Sequence, residues 1–226
     1  MMNNNLLGKK IIIVSGHYGS GKTNIAVNLA LDLRREADKS DKGIKVALVD
    51  LDVVNPFFRS ADSRDELERL GVKCIAPPFA NTNSDMPAIP PEIYSLFSGS
   101  EDMRAVIDVG GDAAGAVVLG MFADKIKGYD HEMIYVVNKY RPQIAEVDAA
   151  AGMALFIEEK SRLKITSVIN NSNIGEFTTE RDISATFDYA RQISEKLNVP
   201  CLAHTAFIDT ESGEIEKINN YTKKIF

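Results

Sequence analysis

Residues 10–23 decide the fold: Lys10-Ile11-Ile12-Ile13-Val14-Ser15-Gly16-His17-Tyr18-Gly19-Ser20-Gly21-Lys22-Thr23. The first part, Lys10 to Ser15, is an apolar run of strand length, and continuous rather than alternating hydrophobicity means burial on both faces of a sheet. Gly16 to Thr23 then fits the spacing GxxxxGK[ST], and the stretch Gly21 to Glu36 behind it is long enough for a helix. Strand, glycine-rich loop and helix in that order form the context in which this spacing cradles phosphate. Glycines at 16, 19 and 21 let the backbone approach closely, so that successive N–H groups can point at phosphate oxygens. Lys22 is expected to meet the β and γ phosphates and Thr23 to offer its hydroxyl to Mg²⁺, with the helix N-terminus adding its dipole. His17, Tyr18 and Ser20 between the glycines, and Asn24 just behind Thr23, complete the expected nucleotide-binding segment.

Outward from this loop the same kind of apolar run recurs at Lys45 to Asp50, Val72 to Ala76, Arg104 to Val109, Met133 to Asn138, Ile165 to Asn170 and Pro200 to His204. Between the runs lie helix-length stretches at Ser60 to Leu70, Pro91 to Phe97, Ala113 to Lys127, Gln143 to Glu159 and Thr179 to Leu197. In Gln143 to Glu159 the residues Ile144, Val147, Ala151, Ala154 and Leu155 fall on one helical face. Thr178 or Thr179 is placed to cap the last of these helices. Alternating strands and helices predict an α/β fold: a doubly wound, mainly parallel sheet flanked by helices, with ligands at the carboxyl ends of the strands. The stretch Ala76 to Ser100, with Pro77, Pro78, Pro87, Pro90 and Pro91, reads as a long irregular loop able to serve a substrate or a partner.

The chain of 226 residues is 45% hydrophobic and 26% charged, with a formal net charge of -6. These values fit a single globular domain over residues 1–226 and exclude a fibrous or low-complexity chain. Net acidity argues against a nucleic-acid binder that relies on bulk phosphate attraction. Cys74 and Cys201 form no paired motif, so neither a zinc site nor a disulfide framework is expected, and a reducing cytoplasm fits best. The start, MMNNNLLGKK, and the short run Ile11 to Val14 suggest neither a signal peptide nor an anchor. The terminal stretch Ile215 to Phe226 has few lysines and two asparagines, and is expected to be a solvated or packed helix rather than a membrane anchor.

A phosphate loop needs carboxylates beside its metal. Ala105-Val106-Ile107-Asp108 ends a strand in a carboxylate, as a Mg²⁺-binding Walker B residue requires. Asp108-Val109-Gly110-Gly111 continues as DxxG, and the N–H of Gly111 is suited to sense a γ-phosphate. Val46-Ala47-Leu48-Val49-Asp50-Leu51-Asp52 places two more carboxylates at a strand end. Asp50 is expected to support either the Mg²⁺ shell or Lys22, and Asp52 to orient an attacking water. Asn138-Lys139-Tyr140-Arg141 resembles the guanine motif NKxD, but Arg141 offers only donors where guanine N1–H and its 2-amino group need an acceptor. GTP is thereby disfavoured against ATP. The histidines His17, His131 and His204 show no ligand spacing.

Taken together, the phosphate loop, the DxD of Val46 to Asp52, Asp108 with Gly110 and Gly111, and Asn170-Asn171 after a late strand resemble P-loop ATPases of the MinD/ParA type. Nitrogenase iron protein and the cobyrinic acid amidases belong to the same group, and the resemblance spans nearly the whole chain. It implies Mg-ATP as ligand and a switch in which two subunits close face to face over two nucleotides until hydrolysis to ADP and phosphate releases them. It also implies adenine contact by Asn170 or Asn171, with Asn171 preferred. Members of the MinD/ParA branch carry a lysine as the second loop residue, reaching the partner's phosphates; His17 stands there instead. Arg59 is either a replacement cation or a solvated side chain. The absence of a paired CxC separates the chain from the nickel-inserting relatives. The expected partners are therefore ATP or ADP, a second copy, and an unidentified protein or small molecule. Two other readings of the same residues are a small-molecule kinase or ATP-dependent ligase that uses the Pro-rich loop as a lid, and an ATP sensor with little turnover.

Overall fold

In the computed structural model, which describes residues 4–40, 43–52, 61–76, 91–98, 103–211 and 213–221, the apolar runs become strands of one sheet. The strands are β1 (Ile11–Gly16), β2 (Lys45–Leu51), β3 (Val72–Ile75), β4 (Met103–Val109), β5 (His131–Val137), β6 (Ser167–Asn170), β7 (Cys201–Ala206) and β8 (Ile215–Lys217). They lie in the order β3-β2-β4-β1-β5-β6-β7-β8, and every neighbouring pair is parallel. The helices are α1 (Asn4–Leu7), α2 (Lys22–Asp38), α3 (Ala61–Arg69), α4 (Ala113–Gly120), α5 (Ala123–Ile126), α6 (Val147–Ser161), α7 (Glu180–Ser184) and α8 (Phe187–Leu197).

Successive strand residues point to opposite faces, so a run that is apolar throughout serves two cores. On one face Ile11, Ile13, Val49, Ile107 and Tyr135 pack against residues of α4, α5, α6 and α8. On the other, Ile12, Val14, Leu48, Val106 and Ile134 pack against α1, α2 and α3. The continuous hydrophobicity of residues 11–14 is thereby accounted for, since all four are buried. The connections from β1 run first toward β2 and β3, and later toward β5 and beyond. Strand order thus reverses at β1, the place where doubly wound sheets open a crevice for ligands.

Four sequence expectations are corrected. The helix expected over Ala113 to Lys127 breaks between α4 and α5, where Phe122 turns its ring into the core and stacks on Phe97. The helix over Thr179 to Leu197 breaks at Ala185 and Thr186. There the Thr186 hydroxyl donates to the Ile183 carbonyl at 2.7 Å, competing with the helical ladder. Its start is as expected, because Thr179 caps α7 in a reciprocal capping box with Asp182. In the third, α6 begins at Val147 after a 3-10 turn at Pro142–Ile144, and Leu155 is 58% exposed, off the buried face formed by Ala150, Ala154 and Ile157.

The fourth concerns the terminal stretch. Residues Ile215–Lys217 form strand β8 beside β7, not a helix, and residues 218–221 then cross the first turns of α2. Asn28 and Asn219 exchange two hydrogen bonds there, at 2.9 and 3.0 Å, and the Tyr221 N–H donates to Asn24 Oδ1 at 2.8 Å. Of the Pro-rich stretch, residues 77–90, with Pro77, Pro78, Pro87 and Pro90, lie outside the described residues, as does Arg59. Pro91–Phe97 is a 3-10 helix that buries Ile93 and Leu96. Among the described residues no helix is long and apolar enough to cross a membrane.

Candidate nucleotide site

Gly21 caps α2 with φ of 88°, a left-handed conformation that a side chain resists, and a Cβ there would meet Asn171 Nδ2 at 2.1 Å. Gly16 leaves β1 with φ of 147°, and a Cβ on it would lie 2.4 Å from the Val136 carbonyl oxygen. The two glycines let the loop fold down between β5 and the start of α2. Within it the Ser20 N–H donates to the His17 carbonyl at 3.1 Å, and Lys22 Nζ donates to the same carbonyl at 3.3 Å.

The β4 side of the loop gathers charge. Lys22 is 6% exposed; burial lowers its pKa, while Asp108, Asp52 and Asp112 pull it back upward. Thr23 Oγ1 donates to Asp108 Oδ2 at 2.7 Å, and the other oxygen, Asp108 Oδ1, is buried without a partner among the described residues. Burial pushes the Asp108 carboxyl up to about 6 against the lowering effects of Lys22 and Thr23. An orphaned carboxylate oxygen beside a threonine hydroxyl fits a small hard cation, which takes one or two protein oxygens and keeps its waters. Asp50 stands level with Asp108 on the adjacent strand, is 1% exposed, and accepts the Asp52 N–H at 2.9 Å through Oδ1.

Gly111 sits against the loop so closely that a Cβ on it would meet Tyr18 N at 2.5 Å and Lys22 Nζ at 2.7 Å. A Cβ on Gly110 would lie 3.4 Å from Asp52 Oδ1 and 3.5 Å from Asp112 Oδ1. The expected residues Lys22, Thr23, Asp52, Asp108 and Gly111 are therefore brought together. Asp112 joins them unforeseen: it caps α4 by accepting the Gly115 N–H at 2.9 Å and bears on Lys22. Its sequence signal was an aspartate directly before an apolar helix that starts at the DxxG glycines.

The β5 and β6 side is different. Asn170 and Asn171 are both fully buried. Asn171 Nδ2 donates to the Ser20 carbonyl at 2.8 Å, and its Oδ1 accepts from Thr205 Oγ1 at 2.9 Å. Asn170 Nδ2 faces Thr186 Oγ1 and His204 Nδ1, each at 2.9 Å, while its Oδ1 accepts from the N–H and hydroxyl of Ser172. Both amides are thus engaged by the protein itself. Asn24 likewise bonds Tyr221 and Asn220, so its side chain helps hold the late segment of the chain.

In Asn138-Lys139-Tyr140-Arg141, Asn138 closes its own turn by accepting from the Tyr140 and Asn173 N–H groups, and Lys139 lies over the Tyr189 ring. Arg141 reaches the phosphate loop, its Nε donating to the Gly19 carbonyl at 2.7 Å. Among the described residues no cluster of three or more His, Cys, Asp or Glu side chains could hold a metal by itself.

A parallel sheet with a GxxxxGKT loop at its switch point, a lysine inside that loop and a strand-end aspartate on the following threonine define the P-loop nucleoside triphosphatase fold. No family model matches the chain, and no curated protein matches it. Among solved structures it is similar to the signal recognition particle receptor FtsY of Elizabethkingia anophelis, with TM-score 0.50 and 21% identity over 95% of this chain and 63% of that one. It is also similar to chloroplast FtsY of Physcomitrella patens, with TM-score 0.50 and 16% identity over 89% of this chain and 59% of that one. The chain thus spans about three fifths of the length of these structures, and the likeness is one of fold.

Proposed function

We propose that the chain binds Mg-ATP and hydrolyses it to ADP and phosphate, using loss of the γ-phosphate to move the segment 110–112 and α4 behind it. The supporting observation is the seat of Gly111 against Tyr18 N and Lys22 Nζ, because a group arriving at Lys22 must meet that segment as well. Lys22 neutralises charge on the transferring phosphoryl group. Thr23 and Asp108 hold the divalent cation, which when bound neutralises the β and γ oxygens. Asp52 positions the attacking water; Asp112 is less suited, since one of its oxygens already caps α4.

ATP is the proposed nucleotide because the segment 138–141 carries Arg141, turned to the Gly19 carbonyl, where the guanine motif carries the carboxylate that guanine N1–H and the 2-amino group require. As in MinD/ParA-type switches, the nucleotide-bound form is proposed to pair with a second copy and to act on a protein or small molecule. The test is phosphate release from Mg-ATP by the chain alone, with GTP as competitor. Release that Lys22→Ala abolishes and excess GTP leaves unchanged is expected. No release, or release that survives Lys22→Ala, overturns the reading.

A further inference from the structure

Arg141 is held more firmly than an ordinary surface arginine. Its N–H donates to the Asn138 carbonyl at 3.0 Å, its own carbonyl accepts the Ile144 N–H at 3.0 Å, and Pro142 follows at the start of the 3-10 turn. Proline fixes the backbone just beyond Arg141, so the residue leaves β5 in one direction. The guanidinium then sits close to Gly19: a Cβ on that glycine would lie 3.1 Å from Nε and 3.3 Å from Cζ. Gly19 has φ of 75°, and its lack of a side chain is what admits the arginine.

Only Nε is used, on a neutral carbonyl. The side chain is exposed, and among the described residues no carboxylate pairs with it, in a chain whose net charge is -6. A guanidinium carries five N–H donors, so four remain at the rim of the loop. Lys139, the other cation of the segment, is placed over the Tyr189 ring and does not share the task. Lys22 approaches the loop among carboxylates from the β4 side, whereas Arg141 approaches from β5, across β1 in the sheet order. The two cations thus approach the loop from opposite sides.

We infer that Arg141 is a second phosphate-binding cation of the loop, supplied by the same chain, which donates its free guanidinium N–H groups to nucleotide phosphate oxygens while its Nε holds Gly19 in place. The inference rests on the proposed nucleotide site and adds a binding residue on its β5 side. It also removes the need for a partner's cation at the position where His17 stands.

Isothermal titration of the full chain with Mg-ATP and with inorganic tripolyphosphate, at several salt concentrations, tests this on Arg141→Gln and Arg141→Lys. Thermal unfolding confirms that the variants fold. The expected result is a loss of about tenfold to a hundredfold for both ligands in Arg141→Gln, the order of one charge-assisted hydrogen bond. Affinity should also depend less on salt, and Arg141→Lys should recover part of it. Loss for ATP with tripolyphosphate unchanged places Arg141 on the nucleoside and overturns the inference. Loss with an unchanged salt dependence reduces it to a brace for Gly19 and overturns it too, as does no loss. If the wild-type chain binds neither ligand, the proposed nucleotide site itself falls; if it binds both and only the variants disagree, the inference alone falls.

Discussion

The two flanks of the phosphate loop are built on opposite plans. On the β4 flank, Asp108 keeps an unpartnered buried oxygen, Lys22 is desolvated, and Gly111 crowds the loop. On the β6 flank, Asn170 and Asn171 have their amides occupied by Ser20, Thr186, His204, Ser172 and Thr205. Buried polar groups normally find partners, and those left without one mark places where a ligand completes the structure. Among the described residues the first flank leaves polar groups unspent and the second spends them within the fold, although both present the polar residue types that ligands attract.

The largest break in this comparison is expected from Lys22→Ala. If the β4 flank carries the chemistry, turnover falls by at least about a hundredfold, measured as phosphate release under saturating Mg-ATP. Gly111→Ala comes next. Its methyl group would collide with Tyr18 N and Lys22 Nζ, and displacement of about 1 Å at a reacting centre costs on the order of a hundredfold in rate. Turnover close to wild type in that variant would separate the segment 110–112 from the switch.

Asn171→Ala probes the other flank. It removes the donor to the buried Ser20 carbonyl, so a stability loss of about 1–3 kcal/mol is expected in denaturant unfolding. ATP and inorganic tripolyphosphate affinities should drop in equal proportion, because the loop loosens and no base contact is lost. A drop confined to ATP would make Asn171 a base reader.

The smallest expected effect sits farthest from the loop. Asn170 Nδ2 is a donor toward His204 Nδ1, so the ring must accept there and stay neutral. Burial lowers the His204 pKa below its ordinary 6.5, so the unfolded chain takes up a proton that the folded chain refuses. Stability is therefore full above pH 6.5 and declines as pH falls through the lower folded value. His204→Asn keeps an acceptor but does not titrate, so unfolding midpoints compared at pH 7.5 and pH 5.5 should fall less in the variant. Equal falls would show that His204 is already free to protonate.

These contrasts also explain what could be read from the amino acids. The strands and the loop were legible because Ile11 to Val14 and the glycines at 16, 19 and 21 answer to local rules: burial on two faces, and backbone angles that side chains resist. The polar residues at the strand ends were not equally legible. Asp108 and Asn171 both lie at the carboxyl edge of the sheet, and only tertiary packing decides that one keeps an oxygen without a partner among the described residues while the other spends its amide on Ser20. Strand β8 was misread because Ile215, Glu216 and Lys217 are too few for their alternation to register, and their strand character comes from pairing with β7. Arg141 was read only as a missing acceptor, since the bond to Gly19 spans 122 positions in sequence.

The crossing of residues 218–221 over α2 sets the order in which the molecule can be completed. Asn24 and Asn28 form the early turns of the helix that carries Lys22 and Thr23, and their partners lie 191 to 197 positions later. Contacts this distant close late during folding, and during synthesis they wait for residues 218–221 to emerge. A ribosome-bound chain that already displays β1, the glycine loop and α2 therefore still lacks the fastening of its own nucleotide helix.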